Sequence, residues 1–281
     1  MGTALNALKM LEYFSNSQPE IGLSQLSRLS GANKATTLRH LRALEEFGLI
    51  EQNPMSKSYM IGPAALRLAA LREIAKPGLE GARSQMRSAM QVVGESLHLS
   101  LLEKDTLKTA LVVETTQHSV RVSLDPTEII PINATASGLC MLSFGPTFLF
   151  ERLGSDPLTR YTDQTLTDPD TIRERVKLVG RAGWANSNGS YEDGVYGFAS
   201  PIFGIDQIAI GTIAIAVPES RATSERLPAI LSSLHTLTHE LTANFGGQIP
   251  ETFPTEFHPR QAVDSIPGEP RNERFQLSEG K

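Results

Sequence analysis

Apolar and polar positions divide this chain into a helical N-terminal part and a longer mixed part. Ala4, Leu5, Leu8, Leu11 and Phe14 recur at helical spacing over residues 3–16, and Ser15, Asn16, Ser17 and Pro19 end that element. A short second helix reads SQLSRLS, with Ser24 as its N-cap and Gly31 as its stop. A third runs from about Lys34 to Phe47 and closes on Gly48. On a wheel of about 100° per residue, Leu38, Leu41, Leu44 and Phe47 fall on one half of it. Thr36, Arg39, Arg42 and Ala43 fall on the other, with His40 at the edge. LIEQNPMSKSYMI then has strand-like ends, Leu49-Ile50 and Tyr59-Met60-Ile61, around a turn-like middle, which predicts a β-hairpin. A further helix, AALRLAALREIAK, leads to a boundary at Pro77-Gly78.

Beyond Leu79 the pattern changes. A helix to about Gly94 precedes LHLSLLE and TLKTALVVETT, which are rich in β-formers and predict strands. Further strands are predicted near Val120–Leu124 and Ile129–Ile132. ATASGLCMLSF predicts a small-residue helix, and PTFLFERLG and PDTIRERVKLVGRAG two more. YGFASPIFG and IAIGTIAIAVP are paired strands turning at Asp206-Gln207, and SERLPAILSSLHTLTHELTANFG is a long amphipathic helix. From Ile249 onward, Pro250, Pro254, Pro259, Pro267 and Pro270 among many charges predict a disordered tail over 249–281. No internal repeat is visible.

Helix, helix, turn, basic helix and hairpin in this order form a winged helix-turn-helix. In that motif the third helix enters the major groove by its N-terminal turns. Lys34, Thr36, Thr37, Arg39, His40 and Arg42 are the candidate DNA contacts on the helix, and Lys57 is a candidate phosphate contact on the hairpin tip. Arginine pairs with guanine edges and threonine can meet a thymine methyl. Taken alone, a basic amphipathic helix is also compatible with an ordinary three-helix core or with docking to an acidic protein.

Composition constrains the rest. The 281 residues are 40% hydrophobic and 20% charged, enough for packed domains. The net charge of −5 means that a nucleic-acid surface must be local and offset by acidic surface elsewhere. A single cysteine, Cys140, excludes an internal disulfide and a cysteine-based zinc site, and its apolar neighbours predict a buried thiol. Neither a secretory leader nor a membrane span is read from the sequence, and a cytoplasmic protein is expected. His235 and His239, at i, i+4 spacing, lack an evident third metal ligand. Glu192 and Asp193, in NGSYEDG, read as a solvated turn rather than an acid–base pair. No phosphate-cradling glycine motif occurs. Catalytic residues, metal and cofactor are therefore not expected, although an enzyme with an accessory winged helix remains the alternative.

Three stretches resemble the IclR family of bacterial transcription regulators. They are ALKMLEYF through GLSQLSRLSGANKATTLRHLRALEEFGLIEQNPMSKSYMIGPAALRL, then IPINATASGLCML, then GWANSNGSYEDGVYGFASPIF with IAIGTIAIAVP. They lie in collinear order over about residues 3–246. The resemblance implies an α+β protein with a winged helix-turn-helix over 1–63, a linker helix over 64–77 and a GAF-like α/β effector-binding domain over 78–248. It implies double-stranded operator DNA and a small-molecule effector as partners, and homodimers that pair into tetramers. The family's arginine in the first helix is replaced here by Asn6. The matching effector positions are Asn133, Ala136, Ser137, Ser187, Asn188, Gly197, Ala214 and Ala216. Amides at the start of the small-residue helix can bind a carboxylate. Gly197, Ala214 and Ala216 stand where relatives that bind very small oxoacids carry polar side chains. This favours a larger, partly apolar acid, unless the small residues serve only close packing. No Arg or Lys falls in the matched segments, although Arg121 or His98 can reach in from neighbouring strands.

Overall fold

The structure is a computed structural model that describes residues 3–15, 18–75, 78–123, 125–154 and 157–261. The expected helix stop at Asn16-Ser17, the linker end at Lys76-Pro77, Leu124 and residues 262–281 lie outside the described residues. The chain divides into two compact units, residues 1–79 and 80–281.

In the first unit, α1 (Thr3–Leu8) continues as a 3-10 turn over Lys9–Tyr13, where a single helix to residue 16 was expected. α2 (Leu23–Ser30) is preceded by Gly22 rather than capped by Ser24. α3 (Lys34–Glu46) begins at Asn33, whose side chain accepts a hydrogen bond from the Thr36 amide at 2.9 Å. Such a cap contributes about 1 kcal/mol. β1 (Ile50–Gln52) and β2 (Tyr59–Ile61) pair antiparallel as the predicted hairpin. Ile21 exchanges two 2.9 Å backbone hydrogen bonds with Tyr59, which ties the hairpin to the segment before α2. The core gathers Met10, Phe14, Ile21, Leu26, Leu41, Leu44, Ile50 and Tyr59. Each such side chain stabilises the unit by roughly 1.5–3 kcal/mol when fully buried. Two wheel assignments change. Phe47 lies past the last turn of α3 and is 74% exposed, and Leu38 is only half-buried. α4 (Ala64–Ala75) follows, with Leu66, Leu68, Leu71 and Ile74 exposed.

The second unit is built on an antiparallel five-stranded sheet. Its strands are β3 (Ser96–Glu103), β4 (Thr106–Val113), β5 (Ala185–Asn188), β6 (Val195–Phe203) and β7 (Ala209–Pro218), in the order β4-β3-β7-β6-β5. α6 (Ala136–Phe144) packs on β5, β6 and β7, backed by α8 (Pro169–Ala182). α9 (Leu227–Asn244) lies on the other face of β6 and β7, where Ser200 Oγ meets Thr238 Oγ1 at 2.6 Å. α5 (Gly78–Val93) is tied to α9 by an Asn244–Gln85 hydrogen bond of 2.5 Å. A short helix, α7 (Phe148–Glu151), follows α6. At the start of β3, fully buried Glu95 accepts from Arg221 Nε and Nη2 and from Arg226 Nη1, each at 2.7 Å. Burial pushes this carboxyl up, but the two guanidinium groups outweigh it and hold it below the usual carboxylate range.

Three expectations for this unit are corrected. Residues 120–123 form no strand, and Ile129 makes only an isolated bridge to Lys108. NSN of NSNGS, read as loop, is most of β5 and pairs through Asn186↔Phe198 and Ser187↔Gly197. Residues 249–261, expected to be disordered, fold back onto the unit. Phe253 sits edge-on to Phe144 and Phe203 at 5.6 and 5.1 Å between ring centroids, and Phe257 packs against His235 at 5.0 Å. Two aromatic anchors of this size outweigh the proline and charge content around them.

Candidate nucleic-acid interface and effector cavity

The first unit carries nine Lys and Arg against six Asp and Glu, a net charge of +3, which leaves −8 for the rest of the chain. The local basic surface required by an acidic chain is thus present in the unit that holds the helix-turn-helix. Packing of Leu41 and Leu44 into the core turns the opposite side of α3 outward and exposes Lys34, Arg39 and Arg42, with Thr36 partly exposed. Among the described residues, no ion pair engages these three cations or Lys57. Lys57 lies on the hairpin tip with φ of 59°, exposed beside Ser56.

Thr37 and His40 are placed elsewhere than expected. Thr37 is fully buried, and its hydroxyl donates to the Asn33 carbonyl at 3.0 Å. His40 is 4% exposed. Thr37 stands one helical turn before Leu41, and His40 one turn before Leu44. Docking those leucines carries both polar residues inward, off the surface open to a duplex.

In the second unit, Thr135 caps α6. Its hydroxyl accepts from the Gly138 amide at 2.9 Å and donates to the Pro131 carbonyl at 2.8 Å. With the third amide taken by the cap, helix geometry leaves the amides of Ala136 and Ser137 without intrahelical acceptors. Ala136 and Ser137 line a cavity of about 160 Å³. That is below the ~300–1,000 Å³ of sites for drug-sized ligands and suits a small metabolite. Cross-strand register builds the sheet side of the cavity. Ser187, Gly197 and Ala216 stand in one row across β5, β6 and β7, and Ala214 stands opposite His98 of β3. A Cβ at Gly197 would come within 2.8 Å of Ser187 Oγ and 3.6 Å of Ala136 Cβ. Gly197 thus permits a close approach to Ser187 and Ala136 on the cavity wall.

Ala136, Ser137, Ser187, Gly197, Ala214 and Ala216 line this space. Asn133 and Asn188 do not. Asn133 instead donates to the carbonyls of Thr159 and Leu166 at 3.0 and 2.9 Å and so fastens the loop that crosses behind it. His98 does reach the cavity, whereas Arg121 stays exposed, 3.8 Å from a Glu114 carboxylate oxygen. Burial lowers the His98 imidazole to about 4, so it is neutral near pH 7, and its Nδ1 has no partner. Ser137 is 1% exposed with an unpartnered Oγ.

The sequence reading missed the wall supplied by two segments, one from Val122 and Ser123 through Asp125 and Glu128 to Ile130, the other from Tyr191 and Glu192 to Val195. Val122, Ile130 and Val195 make it apolar, while Asp125, Glu128, Tyr191 and Glu192 bring carboxylates and a phenol. The Tyr191 hydroxyl donates to Glu128 Oε1. Burial first, and then the neighbouring charges of Asp125 and Glu192, push the Glu128 carboxyl above its usual range despite that hydrogen bond. Cys140 is fully buried against the Ala199 carbonyl, and burial pushes its thiol far up, which makes it unreactive. The His235 and His239 rings lie 4.7 Å apart, and among the described residues no group of three metal-ligand side chains occurs. No helix among the described residues is long and apolar enough to cross a membrane.

Comparison with known proteins finds matches to both parts of the chain. Residues 3–54 match the IclR helix-turn-helix domain, and residues 74–243 match the bacterial transcriptional regulator IclR C-terminal domain. The HTH-type transcriptional regulator KdgR of Escherichia coli is 25% identical over 231 residues, 81% of this chain and 86% of that protein. The transcriptional repressor IclR of the same organism is 24% identical over 253 residues, 85% of this chain and 88% of that protein. A crystal structure of an IclR-type regulator from Silicibacter sp. TM1040 superimposes with a TM-score of 0.82 at 40% identity, covering 90% of this chain and all of that one. An IclR homologue of Microbacterium hydrocarbonoxydans, crystallised with 4-hydroxybenzoate, shares the fold at 21% identity. Its TM-score is 0.74, and the match covers 87% of this chain and 99% of that one.

Proposed function

This chain belongs to the IclR family of bacterial transcriptional regulators, with a helix-turn-helix DNA-binding domain and a C-terminal effector-binding domain, and we propose how its residues divide that work. Lys34, Thr36, Arg39 and Arg42 face the major groove, with the two arginines reading base edges and Lys57 meeting a phosphate. Thr37 and His40 lie inside, carried there as Leu41 and Leu44 dock, and do not meet the DNA. The observation that carries this assignment is the exposed, unpaired cationic side of α3 on a leucine-anchored helix. The protein-docking and enzyme alternatives have no comparable support.

Residues 1–63 form the DNA-binding domain, 64–77 the linker and 78–248 the effector domain. The protein works in the cytoplasm, where its operator is. It binds as a homodimer, because a two-fold operator needs two recognition helices, and the dimers pair into a tetramer as the family resemblance implies. Exposed Leu66, Leu68, Leu71 and Ile74 on α4 support self-association. The effector is a small carboxylic acid whose carboxylate sits on the amides of Ala136 and Ser137 and whose body lies against Val122, Ile130 and Val195. The 4-hydroxybenzoate held by the Microbacterium homologue is an acid of that general kind. The effector acts by favouring one arrangement of the DNA-binding domains over another.

Gel shifts with DNA that co-purifies with the protein test this assignment. Affinity is expected to fall steeply with salt while preference for the operator persists. Binding that is indifferent to salt would remove the DNA assignment. Ala214 is 2% exposed on the cavity wall, so Ala214→Trp is expected to abolish the effector response and keep operator binding. The overfilling costs about 1–3 kcal/mol of stability. A full response in this variant would place the effector elsewhere.

A further inference from the structure

The charge lining the cavity is one-sided. Asp125, Glu128 and Glu192 contribute three carboxylates, and among the described residues no lysine or arginine lines it. Two cations of the same unit are paired with other carboxylates, Lys108 with Glu103 at 3.3 Å and Arg121 with Glu114 at 3.8 Å. His98 is neutral near pH 7 and compensates none of this charge. Asp125 uses one oxygen on the amide and hydroxyl of Thr127, at 2.8 and 2.7 Å, and Tyr191 holds one oxygen of Glu128. These hydrogen bonds engage one oxygen of Asp125 and one of Glu128.

A carboxylate on the α6 amides would share this space with three others, and no lysine or arginine among the described lining residues offsets them. Two residues that line the cavity, Ser137 and His98, each carry a buried polar atom, Oγ and Nδ1, without a hydrogen-bond partner in the protein. Buried polar groups are ordinarily hydrogen-bonded, so a polar ligand is what completes them.

We propose that the effector is a zwitterion, its carboxylate on the α6 amides and its ammonium or other cationic group among Asp125, Glu128 and Glu192 beside the Tyr191 ring. This rests on the effector-site reading above and adds the second charge to it. The Tyr191 hydroxyl fixes the Glu128 carboxylate, and the negative face of its ring also favours a cation. Charge-assisted hydrogen bonds give the amine a large share of the selectivity.

Isothermal titration of the full chain against three probe series tests the proposal. The series are ω-amino carboxylates of three to six carbons, ω-hydroxy carboxylates of matching length, and the corresponding n-alkylamines. The expected result is an amino carboxylate that binds about tenfold or more tightly than its hydroxy counterpart. Glu128→Gln should reduce that ratio to about threefold or less. Glu192→Gln, at an exposed position, should reduce it in the same direction without any demand on folding. Hydroxy acids that bind as well as amino acids, or the absence of binding by every amino carboxylate, would overturn the zwitterion. Binding by hydroxy acids alone removes the cation subsite and keeps the carboxylate seat. Binding by alkylamines with no carboxylate bound removes the seat, and the zwitterion with it.

Discussion

Arg39→Ala is expected to weaken operator binding by about ten- to a hundredfold and to flatten preference among operator variants, the size of one lost bidentate base contact. Arg39 is exposed on the outward side of α3 and has no ion pair among the described residues, so its removal leaves no buried charge behind. Thermal stability should therefore stay close to that of the parent chain. Lys57→Ala makes the informative contrast. A lost phosphate contact lowers affinity evenly across sequences and reduces the salt slope by about one. Equilibrium gel shifts on the native operator and on single-base variants distinguish the two. Unchanged affinity and preference in Arg39→Ala would take α3 out of the groove.

Gly138→Ala is expected to do the largest damage to the effector domain. A Cβ at this position would lie 2.4 Å from the Cα and carbonyl oxygen of Ile132, in backbone that cannot rotate aside. The segment before Thr135 would have to move, and with it the cap that organises the start of α6. Loss of about 1–3 kcal/mol or more follows from overpacking, together with loss of effector binding. Differential scanning calorimetry and effector titration read the two effects. Retained effector affinity in this variant would mean that the carboxylate seat does not depend on the α6 start.

Much of the N-terminal unit was legible because one helix carries both signals. Leucines at i, i+3 and i+6 fix which side packs, and the remaining arginines must then face out. Thr37 and His40 escaped because residue type suggested surface, while the rotation of α3 set by Leu41 and Leu44 decided burial. β5 escaped because Asn and Ser are turn-formers. Its strand geometry comes from pairing with β6, not from its own propensity. Residues 120–123 carry the converse lesson, since an apolar alternation without a partner strand makes no ladder. In the cavity, the positions on β6, β7 and α6 followed from matched motifs. Asp125, Glu128 and Glu192 did not, because two distant loops meet only in the folded unit and nothing in their local sequence announces the meeting.

The segment after α9 bears on how this protein can be handled at the bench. Phe253, nine residues past the end of α9 at Asn244, fills a hollow framed by Phe144, Phe203 and Phe257. A chain trimmed at residue 243, where the family match stops, would lose this aromatic plug and present a greasy socket to its neighbours. Shortened versions made for crystallisation should be cut beyond Gln261 if they are to stay monodisperse.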